Sequence, residues 1–342
     1  MISFTNDYSE GAHPRILELL TKINLEQNSG YGLDIHCDQA RKYIKKHLGK
    51  EEVDIHFLAG GTQTNLLVIS AFLRPHQCVI AADSGHINVH ETGAIEATGH
   101  KVVTVPGRDG KLTPEAIRKA IEYHSDEHMV KPGMVYLSDS TELGTIYKKN
   151  ELEAIRKLCD EKKLILFLDG ARLGAALTSK ENDLTLPDLA TLTDVFYIGG
   201  TKNGALLGEA LVICKEKLKE DFRYLMKQRG AMLAKGFVVG VQFEALFEEH
   251  LYFELGSHAN RMAEKLATAL ANLGFRFYTP VCSNQLFPIL PDAMIDRMSS
   301  EFGILIQEQL EGGYSVIRLV TSWATTEQNV EDLIRFMTEI CA

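Results

Sequence analysis

The chain has 342 residues, 45% of them hydrophobic and 24% charged, with a formal charge of −10. That length supports a substantial buried core in one large domain or two. The acidic balance argues against nucleic acid or an anionic membrane as a main partner, while leaving room for a small anionic ligand in a locally basic cleft.

Short apolar, β-rich runs recur between helical stretches. Strands are predicted near Asp54–Leu58, Cys78–Ala82, Val102–Val105, Met134–Leu137, Leu164–Leu168, Val195–Ile198 and Ala210–Ile213. Several are apolar on successive residues, as expected for a parallel sheet covered on both faces. Thr113-Pro-Glu-Ala supplies an N-cap, a first-turn proline and an early acid for a helix over Ala116–Tyr123. Asn150 is the corresponding cap expected for Leu152–Lys162. This alternation predicts an α/β fold with a mainly parallel seven-stranded sheet. From about Phe243 the pattern changes to helices over Phe243–His250 and Ala259–Leu273. Short strands are then expected near Phe275–Tyr278, Gln285–Ile289 and Ser315–Val320, with a last helix over Thr326–Cys341. The expected division is a large domain over 15–245 and a smaller α+β domain over 246–342, joined by 1–14.

The six cysteines are scattered without a C-x-x-C pair, which argues against a zinc framework or a small disulfide scaffold. No basic-then-apolar leader is evident, and no apolar run approaches the roughly 18 residues of a membrane span. A cytoplasmic protein is the expectation.

Asp169 ends the apolar run Leu164-Ile-Leu-Phe-Leu168 and begins Asp-Gly-Ala-Arg172. A carboxylate there lies at a strand's C-terminal edge, where α/β folds place ligands; alone it also reads as a turn or cap. Lys202 follows a later strand in Tyr197-Ile-Gly-Gly-Thr-Lys-Asn-Gly204, and flanking glycines permit close approach by a cofactor. Together the two suggest a pyridoxal 5'-phosphate (PLP) site, with Lys202 forming the Schiff base and Asp169 keeping the pyridinium protonated. Ala59-Gly-Gly-Thr-Gln-Thr-Asn65 opens a helix after the first strand. The amides around Gly61 and the Thr62 hydroxyl there suit a phosphate, or make a plain strand-to-helix turn. His86 follows the second strand and could stack on a ring or move a proton, whereas His36, His90 and Glu91 are read as structural. Arg318, on the alternating run Val316, Arg318, Val320, suits a substrate carboxylate or an internal ion pair; Arg172 has the same two readings.

In this order the segments resemble the L-threonine aldolase family of fold-type I PLP enzymes, within the wider β-eliminating lyase group. Gly60-Gly-Thr-Gln-Thr-Asn65, His86-Ile-Asn-Val-His-Glu-Thr-Gly-Ala94, Asp169-Gly-Ala-Arg172, Gly199-Gly-Thr-Lys-Asn-Gly204 and Ile317-Arg-Leu-Val-Thr321 carry the resemblance. The lysine motif departs from the commoner Ser-Lys-Gly form, and Asp7-Tyr-Ser9 departs from the usual N-terminal Ser-Asp-Thr, which points to a divergent branch. The resemblance implies retro-aldol cleavage of a β-hydroxy-α-amino acid. Lys202, Asp169 and His86 are then catalytic, and Gly61, Thr62, Arg172 and Thr201 help bind PLP. Arg172 and Arg318 grip the substrate carboxylate. It also implies a homodimer or homotetramer with shared sites. Arg229 and Lys235 have two readings there, a reach to a neighbouring phosphate or plain surface cations. A β-eliminating lyase, an aminotransferase and a catalytically silent PLP-binding scaffold are the alternatives.

Overall fold

The computed structural model describes residues 1–341. Among the described residues thirteen strands form three sheets. In chain order they are β1 (Ile2–Ser3), β2 (Asp54–Leu58), β3 (Gln77–Ala82), β4 (Val102–Val105), β5 (Lys131–Ser138), β6 (Ile165–Asp169), β7 (Val195–Gly199), β8 (Glu209–Ile213), β9 (Gln285–Leu286), β10 (Ile289–Pro291), β11 (Phe302–Gly303), β12 (Leu305–Leu310) and β13 (Tyr314–Val320).

The large sheet has the order β2-β8-β7-β6-β5-β3-β4. All seven predicted runs form strands in it. The pairs β3/β4, β3/β5, β5/β6 and β6/β7 are parallel, whereas β8 runs antiparallel to both β7 and β2. The sheet is therefore mainly parallel but mixed. A short connection between β7 and β8 causes this, being too brief for the crossover a parallel return requires. Two apolar layers, one on each face, bury successive residues of β3, β5, β6, β7 and β8, which accounts for their near-continuous apolar sequence.

The helix over Pro114–Tyr123 is capped by Thr113, whose side chain accepts from Ala116 N–H at 3.3 Å, as predicted. The next predicted cap, Asn150, is corrected. The helix starts at Lys149 and is capped at Lys148, because the Glu151 carboxylate bonds back to Lys148 N–H at 2.8 Å. Predicted helices over Phe243–His250 and Ala259–Leu273 are longer than expected, covering Phe237–Glu248 and Leu251–Asn272.

The smaller sheet has the order β10-β13-β12, with β9 pairing beyond it on β13. Phe275–Tyr278 makes only an isolated bridge, Phe277 to Pro288, and the predicted strand Gln285–Ile289 is split into β9 and β10. Pro288 explains both corrections, since it has no N–H to give either ladder. Among the described residues no helix is long and apolar enough to cross a membrane.

β1 pairs in parallel with β11, and Val320 N–H donates to Phe4 O at 2.8 Å. Phe4 is fully buried in the core that also contains Leu286, Ile317 and Met337. The N-terminus is thus anchored to the smaller sheet, and Thr5–Tyr8 enters the cleft between the two sheets.

Candidate active site

The C-terminal ends of β5, β6 and β7 converge on a pocket of about 760 Å³, closed on one side by β12, β13 and the N-terminal segment. Asp169, the last residue of β6, sits at its base and is nearly fully buried. Its Oδ2 accepts from Tyr136 Oη at 2.6 Å and Asn65 Nδ2 at 3.0 Å; its Oδ1 accepts from Tyr197 Oη and from Ala171 N–H at 3.0 Å. Burial alone would raise its pKa. The nearby charge of His86 and the bonds from Tyr136, Tyr197 and Ala171 outweigh burial and hold the carboxyl below its usual range. The group is a fixed anion.

Lys202 lies in the β7–β8 connection. Burial and the Arg172 guanidinium push its pKa down, against the opposing pull of Asp7, Asp169 and Glu209. A larger share of free amine follows, as a nucleophilic lysine requires. Gly200 N–H donates to Glu209 Oε2 at 3.0 Å and Thr201 Oγ1 to Glu209 Oε1 at 3.0 Å, so Glu209 clamps the residues just before Lys202. Burial pushes Glu209 itself up to about 8. The glycines of the two motifs have one cause: a Cβ on Gly170 would lie 2.0 Å from Tyr197 O, and one on Gly199 2.4 Å from Ala171 O. The Asp169 and Lys202 loops touch backbone to backbone.

Gly61 and Thr62 line the pocket at the N-terminus of the helix over Gly61–Phe72, with Thr201 nearby. The cap residue Gly60 makes no side-chain cap bond, and the first turn carries no acid. Its amides are therefore disposed toward an anion. His86 starts a short helix; its Nδ1 bonds Glu91 Oε1 at 2.8 Å and its backbone N–H donates to Glu142 Oε1 at 2.9 Å. Glu91 is buried and also accepts from Asn65 Nδ2 at 2.7 Å. Asn65 thus joins Asp169 to the His86–Glu91 pair.

The two arginines differ. Arg172 spends Nε and Nη2 on Asp7, at 2.8 and 3.0 Å, and Asn284 Nδ2 completes Asp7 at 3.0 Å. The fork expected for a substrate is occupied by a carboxylate of the chain itself. Among the described residues Arg318 has no acidic partner: its Nη2 donates to Thr5 O at 3.2 Å, and its buried Nε makes no bond. Burial and the Arg172 charge lower its pKa.

His90, predicted to be structural, lines the pocket, and Glu91 is part of its network; His36 is remote, bridging Glu26 and Glu244 at 2.9 and 2.8 Å. Arg229 and Lys235 are exposed and are not among the pocket's lining residues. Asp7, Glu91, Tyr136, Glu142, Tyr197 and Glu209 were not singled out from sequence as site residues. Asp7, Glu91 and Tyr197 lie inside motifs quoted from the sequence but were given no site role there, Glu91 being read as structural; Glu209 follows the lysine motif, and Tyr136 and Glu142 belong to no motif. The residues present fit PLP: a bonded anion for the ring nitrogen, an uncapped helix start for phosphate, a lysine with a lowered pKa, and an unpaired arginine.

The β-eliminating lyase family model matches residues 8–292. A low specificity L-threonine aldolase of Pseudomonas sp. is 31% identical over 96% of this chain and 95% of its own length. The solved structure of a threonine aldolase of Leishmania major is 50% identical over the whole of both chains, with a TM-score of 0.99. An aspartate aminotransferase of Thermus thermophilus covers 99% of this chain and 91% of its own at 17% identity and a TM-score of 0.74, a likeness of fold alone. The chain belongs to the β-eliminating lyase family and, within it, to the threonine aldolases, and is a PLP-dependent lyase of fold type I.

Proposed function

We propose that the protein cleaves L-threonine, L-allo-threonine or a related β-hydroxy-α-amino acid to glycine and an aldehyde. The observation that carries this reading is Arg318, a guanidinium without an acidic partner that shares one pocket with Asp169 and Lys202. An amino-acid carboxylate satisfies it.

Lys202 would anchor the cofactor through its amine and would serve as the proton carrier at the substrate Cα. Asp169 would hold a proton on the ring nitrogen, His86 would pack against the ring, and Gly61, Thr62 and Thr201 would hold the phosphate. PLP, when bound, supplies the conjugated ring that withdraws the electron pair left at Cα. Arg318 orients the carboxylate, and Arg172, held by Asp7, adds its charge and its remaining Nη1.

The small-molecule substrate is served by a site we read as shared in a homodimer or homotetramer. Exposed Leu25, Leu33 and Ile35 support this, and Arg229 and Lys235 are then candidates to reach a neighbouring site. The division into 15–245 and 246–342 with 1–14 rests on the separate core around Phe4 and Ile317. A cytoplasmic location fits the six cysteines, all free.

A panel of L-threonine, L-allo-threonine and L-serine under saturating PLP tests the reaction, with glycine and aldehyde both measured. Pyruvate and ammonia in their place would indicate β-elimination. Amino transfer to a 2-oxo acid would indicate an aminotransferase, and no turnover a silent scaffold.

A further inference from the structure

The roles proposed above leave one task unfilled, the removal of the β-hydroxyl proton. Beyond the residues already given the ring, phosphate, amine and carboxylate, the pocket wall includes His90, Ser138, Ser140, Glu142, Gln285, Leu305 and Gln307. Tyr8 and Glu209 line it as well, so four groups without a role so far titrate: Tyr8, His90, Glu142 and Glu209. Both Glu209 oxygens are taken by Gly200 N–H and Thr201 Oγ1, and among the described residues no hydrogen bond orients the Tyr8 phenol or the His90 ring.

Glu142 is held by a tight turn after β5. Gly144 N–H donates to Thr141 O at 3.0 Å, Thr141 N–H donates to Thr145 O at 2.8 Å, and the Thr141 and Thr145 hydroxyls lie 2.8 Å apart. Gly144 has φ +75, which the turn requires. The Glu142 carboxyl is then oriented by two donors on one oxygen: Oε1 accepts from His86 N–H at 2.9 Å and from Ser138 Oγ at 2.7 Å. Its other oxygen has no hydrogen-bonding partner on another residue among the described residues and is not a sealed orphan, which leaves it open to the pocket. Ser138 Oγ also lies 3.3 Å from Tyr136 Oη, which donates to Asp169. Each hydroxyl spends its one proton on its own carboxyl, Ser138 on Glu142 and Tyr136 on Asp169, so the two acids are held side by side by separate donors.

We propose that Glu142 takes the proton from the substrate's β-hydroxyl as the Cα–Cβ bond breaks. The O–H bond breaks toward Glu142 Oε2, and its electron pair becomes the second bond of the aldehyde carbonyl. The Cα–Cβ pair stays with the glycine fragment, which takes a proton at Cα, and Glu142 returns its own proton to solvent. This inference rests on the aldolase reading.

Acid strength separates Glu142 from His90. Burial raises the Glu142 carboxyl above its ordinary value, opposed by Ser138 and by His86, while Asp169 adds to the rise. Burial and the charges of His86, Arg318, Lys202 and Arg172 lower His90. The shift runs toward the working range for Glu142 and away from it for His90, and the two donors that orient Glu142 have no counterpart on the His90 ring among the described residues. The titratable or charged groups facing Glu142 are Asp169, Tyr136, His86, Arg172 and Tyr147. His86, also on that wall, is assigned to the ring.

The test uses the PLP-loaded protein and its Glu142→Gln and Glu142→Asp variants. Three readouts are taken: L-threonine cleavage against pH, exchange of the glycine Cα proton with D2O by NMR, and cofactor affinity by absorbance titration. Support would be a loss of cleavage by Glu142→Gln on the order of 10²–10⁴-fold, together with loss of the acid limb of kcat/KM. Glycine exchange and cofactor affinity would change only a few-fold, and Glu142→Asp would restore part of the rate. Retained cleavage with an unchanged acid limb overturns the proposal. Equal losses in cleavage and glycine exchange also overturn it, because Glu142 would then act by positioning the cofactor. A wild-type protein that exchanges glycine but cleaves no β-hydroxy amino acid removes the aldolase reading itself, an outcome distinct from either result in the variants.

Discussion

Asp7 and Arg172 come from opposite ends of the site and form a buried two-point ion pair, at 2.8 and 3.0 Å. The pair ties the N-terminal segment to the Asp-Gly-Ala-Arg loop and decides which arginine is left for a ligand. Burial opposes the charge on Asp7, and Arg172 overcomes it, holding the carboxyl below its usual range.

Asp7→Ala is expected to destabilise the protein by about 3–5 kcal/mol, because it strands a buried guanidinium. The Asp7 contribution to stability is present above the unfolded carboxyl value of about 3.9. It is lost as pH falls through the lowered folded value. Thermal unfolding of wild type and Asp7→Ala between neutral and acid pH checks both the size and the sign.

Arg318→Ala should lower kcat/KM for the amino acid while leaving cofactor absorbance unchanged. Losing a charged partner from a partly buried pair costs about 2–5 kcal/mol, or roughly 30- to several-thousand-fold. Arg318→Lys should recover little, since an ammonium lacks the planar fork. Steady-state kinetics beside a PLP titration separates this from a loss of cofactor.

Lys202→Ala should abolish the covalent pyridoxyl adduct that borohydride fixes in the wild type. Peptide mapping after reduction locates it. An adduct that survives in the variant would place the anchoring lysine elsewhere.

Glu209→Gln should flatten the pH dependence of stability on the alkaline side. Glu209 is pushed up to about 8 by burial in the folded chain and titrates near 4.3 when unfolded. The unfolded state therefore ionises first, and stability falls as pH rises between these values, by at most about 1.4 kcal/mol per unit. Melting temperatures at pH 6, 7 and 8 should converge in the variant. An unchanged slope would mean that Glu209 is already ionised beside Lys202.

Much of the site was legible because its chemistry is written in local motifs. Asp169 and Lys202 each follow a buried strand, so their side chains emerge at the sheet's C-terminal edge, and the glycines beside them record a backbone contact between the two loops. The central strands β3 and β5–β8 were legible for a related reason: burial on both faces demands nearly unbroken apolar runs. β12 was not, because Leu305–Gln309 is exposed and carries no core periodicity. The Phe275–Tyr278 expectation failed at Pro288, whose missing N–H acts on a partner ten or more positions away, outside any local window.

The sequence by itself determined the order of the α/β elements and the residues able to hold a phosphate, a ring nitrogen and an amine. These depend on local periodicity, turn chemistry and strand ends. The tertiary structure decided how charge is divided among those residues. Asp7 occupies Arg172 and leaves Arg318 without an acidic partner, Tyr136 and Tyr197 fix Asp169 as an anion, and the turn at Gly144 places Glu142 in the pocket wall. Such pairings join segments far apart in the chain, and the burial that sets each group's protonation exists only once those segments have packed together.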